Sequence, residues 1–138
     1  MAWLRLSALA QSDIVHVLAW TEQRHGERAR ERYEQLISSA LRDLAAAPVR
    51  PGTVARPELG EGVRSYHLRS ARKQAGVTRP RHLILYRTRG TSTVEVGRVL
   101  HDAMELERHA TFDLPHEPQT GRLLRQPQPM TAPADAAD

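Results

Sequence analysis

The chain has 138 residues, about one domain on size grounds, and carries a net charge of +4 at pH 7. It has no cysteine, which excludes a disulfide framework, a thiolate zinc site and a cysteine nucleophile, and which suits a reducing compartment. No apolar run approaches the ~20 residues a membrane span needs. The opening MAWLRLSALAQSD is too short, and too interrupted by Arg5, Gln11, Ser12 and Asp13, for a secretory segment. The expectation is a cytoplasmic protein with no membrane partner.

AWLRLS, residues 2–7, alternates apolar and polar and predicts a short strand. Ser7 is placed as the N-cap of a helix whose stripe runs through Ala10, Ile14, Val17, Leu18 and Thr21 or Trp20. Trp3 and Trp20 are expected to be packing residues. That helix should stop near Arg24-His25-Gly26, with glycine just past its end. A second helix is predicted from Glu27 to Ala46, with Ala29, Tyr33, Leu36, Ile37, Ala40, Leu41 and Leu44 on one face. A link of two or three residues would make the pair an antiparallel αα-hairpin.

Residues 47–62 are dense in proline and glycine and read as loop. Three strands follow: VRSYHLR at 63–69, the near-continuous apolar run RHLILYR at 81–87, and TVEVGRVL at 93–100. The first two are separated by a basic loop at 70–80. The last two are joined by a hairpin turn at 88–92. Ala103 to Ala110 reads as a short helix. From Asp113 the chain is proline-rich and aperiodic, which predicts a folded unit at 1–112 and a disordered tail at 113–138. The order β-α-α-β-β-β-α predicts an α+β fold, a small mostly antiparallel sheet packed on an αα-hairpin.

Charge is unevenly spread. Residues 1–63 are net zero, 64–98 hold nine Lys/Arg against Glu95 alone for +8, and 99–138 are net −4. The middle segment should seek an anionic partner, and the sheet face left open by the hairpin is where its residues should gather.

Two stretches resemble the RelE/ParE superfamily of toxins from bacterial toxin–antitoxin systems. PELGEGVRSYHLRSARK (57–73) resembles the loop that leads into the hairpin sheet of ParE-like members. PRHLILYR followed by VEVGRVLHDAMELERH (80–109) resembles their core strand ending in Tyr-Arg and final strand ending in Leu-His-Asp-x-Met-Glu-Leu. The resemblance spans about residues 2–110 and implies that the last strand runs into a short C-terminal helix seated by Met104 and Leu106, with His101 at the joint.

It also implies function. A ParE-like toxin inhibits DNA gyrase by binding it, performs no chemistry itself, and is neutralised in a heteromeric complex by a ParD-like antitoxin. Arg64, Arg69, Arg72, Lys73, Arg87, Arg98 and His101 are the expected target- or antitoxin-binding residues. The alternative is a RelE-like endoribonuclease cutting mRNA on the ribosome. Such cleavage needs a base, an acid and a cation for the phosphate, and Tyr66, His67, Arg69, Arg87, Arg98 and His101 are the right types. By strand alternation Ser65, His67 and Arg69 share one face, and Arg64, Tyr66 and Leu68 the other. His82 is read as structural. A non-toxic antitoxin-binding homologue is a third outcome. His101, Glu105 and His109 fall four residues apart, but no metal site or cofactor is expected. Neither is sequence-specific DNA binding, which is assigned to the antitoxin.

Overall fold

The computed structural model describes residues 2–71, 76–90 and 92–104. The chain opens with β1 (Trp3–Leu6), whose period of two puts Leu4 and Leu6 on the core and leaves Trp3 and Arg5 exposed. Ser7 starts α1 (Ala8–His25) as expected: its Oγ accepts the Ala10 amide at 2.9 Å. The same hydroxyl donates to the Gly97 carbonyl at 2.8 Å, which ties the helix start to the sheet.

The link to α2 (Glu27–Ala46) is Gly26 alone, at φ +96°, tighter than the two or three residues expected. Only a residue without a Cβ takes that backbone without strain. Tyr33, Leu36, Ile37, Ala40, Leu44 and Ala45 of α2 are buried, as are Ala10, Leu18 and Thr21 of α1. The tryptophans depart from expectation. Trp3 is 75% exposed on the outer face of β1, and Trp20 is 50% exposed because the core stripe of α1 is filled by Leu18 and Thr21 on either side of it.

The sheet contains β1, β2 (Thr53–Ala55), β3 (Val63–His67), β4 (His82–Arg89) and β5 (Thr93–His101) in the order β1-β5-β4-β3-β2. β1 lies parallel to β5 and the other pairs are antiparallel. The α+β expectation therefore holds, with corrections. β2 lies inside the stretch read as loop: it pairs only with β3, Thr53 opposite Tyr66 and Ala55 opposite Arg64, and three residues are too few to show a period. The strand expected over 63–69 ends at His67, and Leu68–Ser70 turns into a single 3-10 turn. The turn follows from the side chain, since His67 Nδ1 accepts the Arg69 amide at 3.1 Å and bends the chain.

β5 carries the most informative departure. Its register against β4 skips Gly97: Leu85 faces Arg98 and Tyr86 faces Val96. This bulge inverts the alternation beyond it. Val94, Val96 and Val99 therefore all pack with Ile84, Tyr86, Tyr66 and Leu68 under the hairpin. Leu100 joins a smaller cluster of Leu59, Val63, Leu83 and Leu85 instead. Where β1 stops, α1 covers the exposed edge of β5: Asp13 accepts the Val99 amide at 2.9 Å and pairs with Arg98 at 2.8 Å.

Ala103 and Met104 lie in a turn after β5, with the Met104 amide donating to the His101 carbonyl. The rest of the helix expected to Ala110, Leu106, the tail at 113–138, and Arg72 and Lys73 lie outside the described residues. Among the described residues no helix is long and apolar enough to cross a membrane.

Candidate functional site

Three histidines gather at one end of the sheet because β3 ends on His67, β4 begins on His82 and β5 ends on His101. His82 stands opposite His101 in the ladder and His67 opposite Leu83. The His82 and His101 rings meet edge to face at 5.3 Å, and Tyr33 of α2 meets His82 the same way at 5.6 Å.

Backbone hydrogen bonds assign two of the tautomers. The Tyr33 hydroxyl accepts the Arg81 amide at 3.2 Å and shares a hydrogen bond with His82 Nδ1 at 2.7 Å. His67 Nδ1 accepts the Arg69 amide, and His101 Nδ1 accepts the Ala103 amide at 3.0 Å. His67 and His101 thus use Nδ1 as acceptor and carry their proton on Nε2. His67 and His101 act alike, since each stops its strand by capping the amide two residues on. Burial, reinforced by the neighbouring His101, lowers His82 to about 4. Burial pushes Tyr33 up to about 12. Burial favours the neutral His82 imidazole, and either neutral tautomer can share the hydrogen bond with the Tyr33 hydroxyl.

Asp102 organises the rim. It receives Arg81 through Nε and a terminal nitrogen, the latter at 2.8 Å, and His67 Nε2–H at 2.9 Å. The Arg81 bonds hold its carboxyl well below the usual carboxylate range. His67 is lowered despite this partner, because burial of the ring outweighs the attraction of Asp102. The arrangement can hold an anion beside Arg81 or orient the His67 imidazole. Among the described residues no three His, Asp or Glu side chains form a group able to hold a metal ion.

The other expected site residues do not converge here. Tyr66 lies under the hairpin, where its hydroxyl donates to Asp43 at 2.9 Å; burial and that bond push it up to about 12. Arg64 shares that side and donates to Thr53 Oγ1 at 2.8 Å. Arg87 pairs with Glu95 at 2.9 Å and Arg98 with Asp13. Arg69 is exposed, and its guanidinium has no ion pair among the described residues. The arginines of the +8 segment therefore do not form one open basic face. Arg81 and Arg98 are paired with Asp102 and Asp13, which fold back from outside the segment, and Arg87 and Arg89 share Glu95 within it. His82 is held inside the fold by Tyr33, in keeping with a structural part. Asp102, Arg81 and Tyr33 were missed; Asp102 stands beside His101 in sequence, but Tyr33 joins only through the packing of α2.

Between the α1–α2 joint and the approach to β4 lies a cavity of about 410 Å3. Trp20, His25, Arg32, Arg79, His82 and His101 are among its walls.

A search of curated proteins finds no match. The family model for the ParE toxin of the type II toxin–antitoxin system parDE matches residues 4–106, from the first strand to just past the last. With the αα-hairpin and the β1-β5-β4-β3-β2 sheet in place, the chain belongs to the ParE toxin family of type II toxin–antitoxin systems.

Proposed function

We propose that this toxin acts in the cytoplasm by binding DNA gyrase and trapping it on cleaved DNA, without chemistry of its own, until a ParD-like antitoxin covers it. The observation that carries the reading is the family match over the whole described fold. Charge supports it: arginine is suited to bidentate contact with carboxylates and phosphates, and a cationic toxin suits an acidic protein or nucleoprotein surface. Of the expected contact residues, Arg69 is the best placed, being exposed and unpaired among the described residues. Arg72 and Lys73 remain proposed contacts on sequence grounds. Arg64, Arg87 and Arg98 are bound within the fold, so any part they take in a partner contact is shared with a structural role.

Purified gyrase should lose supercoiling activity and accumulate cleaved DNA when this protein is added, and the co-encoded antitoxin should reverse both. Unaffected gyrase would overturn the reading. One observation favours the endoribonuclease alternative: His67, Asp102 and Arg81 bring an imidazole, a carboxylate and a phosphate-binding cation together. Ribosome-dependent mRNA cleavage abolished by His67→Gln would establish it. Inertness in both assays, with antitoxin binding retained, would mark a non-toxic homologue.

A further inference from the structure

The cavity between the helix joint and the strand ends combines features that toxin action on a protein surface does not require. Its permanently charged walls are all cationic, Arg32, Arg79 and Arg81, and His25, His82 and His101 stand beside them. Arg81 is engaged by Asp102, whereas Arg32 and Arg79 are exposed and have no anionic partner among the described residues. Aromatic surface stands beside them. Trp20 is half exposed, with the Arg24 guanidinium 5.0 Å from its ring centroid and His25 edge-on at 6.0 Å. His101 spends Nδ1 on the Ala103 amide, which leaves its Nε2–H as a donor for a guest.

We propose that this cavity binds a free nucleoside monophosphate, its base against Trp20 and His25 and its phosphate held by Arg32 and Arg79. The volume of about 410 Å3 falls in the range of about 300–1,000 Å3 typical of small-molecule sites, which pair apolar walls with a few convergent polar groups. Any base offers a π-face, so stacking tolerates all four. Arginine matches a phosphate with a planar fork of donors. An acidic peptide is the rival occupant, since it would also satisfy the arginines. It is disfavoured because it would leave the aromatic wall unused, and because a concave pocket of this size encloses a whole small molecule better than it meets one side chain of an extended partner.

The test uses the full chain carrying Trp3→Phe, so that Trp20 is the sole tryptophan. AMP, CMP, GMP and UMP are titrated against its fluorescence and by calorimetry, beside adenosine, inorganic phosphate and an oligoglutamate peptide. A saturable change with nucleoside monophosphates is expected, at least tenfold weaker for adenosine or phosphate alone. Arg79→Glu and Arg32→Glu should each weaken it at least tenfold. Both positions are exposed, and an unchanged circular dichroism melt checks that the variants fold. No saturation at millimolar nucleotide overturns the proposal. So do binding indifferent to both charge reversals, phosphate alone binding as tightly as the nucleotide, and a preference for oligoglutamate.

Discussion

The two ends of the β3–β4–β5 ladder are built on the same plan with opposite outcomes. At the histidine end, Asp102 is shared between Arg81 and His67; at the hairpin end, Glu95 is shared between Arg87 and Arg89. Glu95 is 7% exposed and belongs to the fold's interior. The Arg81 side chain is 58% exposed and stands at a cavity mouth. The same sharing of one carboxylate between two nitrogen-bearing side chains is therefore a structural latch at one end and an accessible, polar rim at the other. Burial decides which, because the attraction between charges and the penalty for breaking it both grow as water is excluded.

The largest effect expected from breaking this contrast lies beside it, at the β5 edge. Asp13→Ala removes both the partner of Arg98 and the acceptor of the Val99 amide, with the two charged side chains only 17% and 14% exposed. A loss of about 3–5 kcal/mol in urea unfolding is expected, the cost of breaking a mostly buried ion pair by removing one member. For the same reason Arg98→Glu cannot serve as a clean probe of partner contact. A loss below ~1 kcal/mol, the range of an exposed pair, would show that solvent reaches Arg98.

Next comes Glu95→Gln, which keeps the shape and an acceptor but removes the charge facing Arg87 and Arg89. The expected loss is about 1–3 kcal/mol, measured in the same way. If it instead matched a surface substitution, the hairpin end would be no more buried in effect than the histidine end.

The third is a pH effect at the histidine end. His82 binds its proton near pH 4 when folded, against an ordinary 6.5 when unfolded. Between those values the unfolded chain holds more protons, so stability is complete above about pH 6.5 and falls as pH drops toward 4. The change is on the order of 1–2 kcal/mol, below the full linkage value because the ring is partly solvated. His67, also lowered, acts in the same direction. His82→Gln should flatten the melting-temperature profile in this window; an unchanged slope would assign it to other groups.

The smallest stability effect is expected at Arg69→Glu, within about ±0.5 kcal/mol, since the side chain is exposed. Gyrase inhibition or antitoxin affinity should nonetheless fall. A variant that melts normally and inhibits fully would remove Arg69 from the contact surface.

How much of this was legible in the amino acids depends on how far apart the interacting residues lie. The hairpin stripe, the Ser7 cap, the Gly26 joint and the strand order along the chain follow from spacings within a few residues, and so does the resemblance carried by Gly97 to Leu106. β2 escaped because three residues beside prolines and glycines show no period. The Gly97 bulge escaped because alternation assumes an unbroken register. Only the tertiary structure decided which arginines are free. The +8 of residues 64–98 is a property of the sequence, but Asp13 and Asp102 lie outside that segment and return to it through folding. Local periodicity is fixed by backbone geometry, and each residue carries its share of it. Charge pairing is fixed by which distant side chains come within a few ångströms, and that information appears only once the sheet and hairpin have packed.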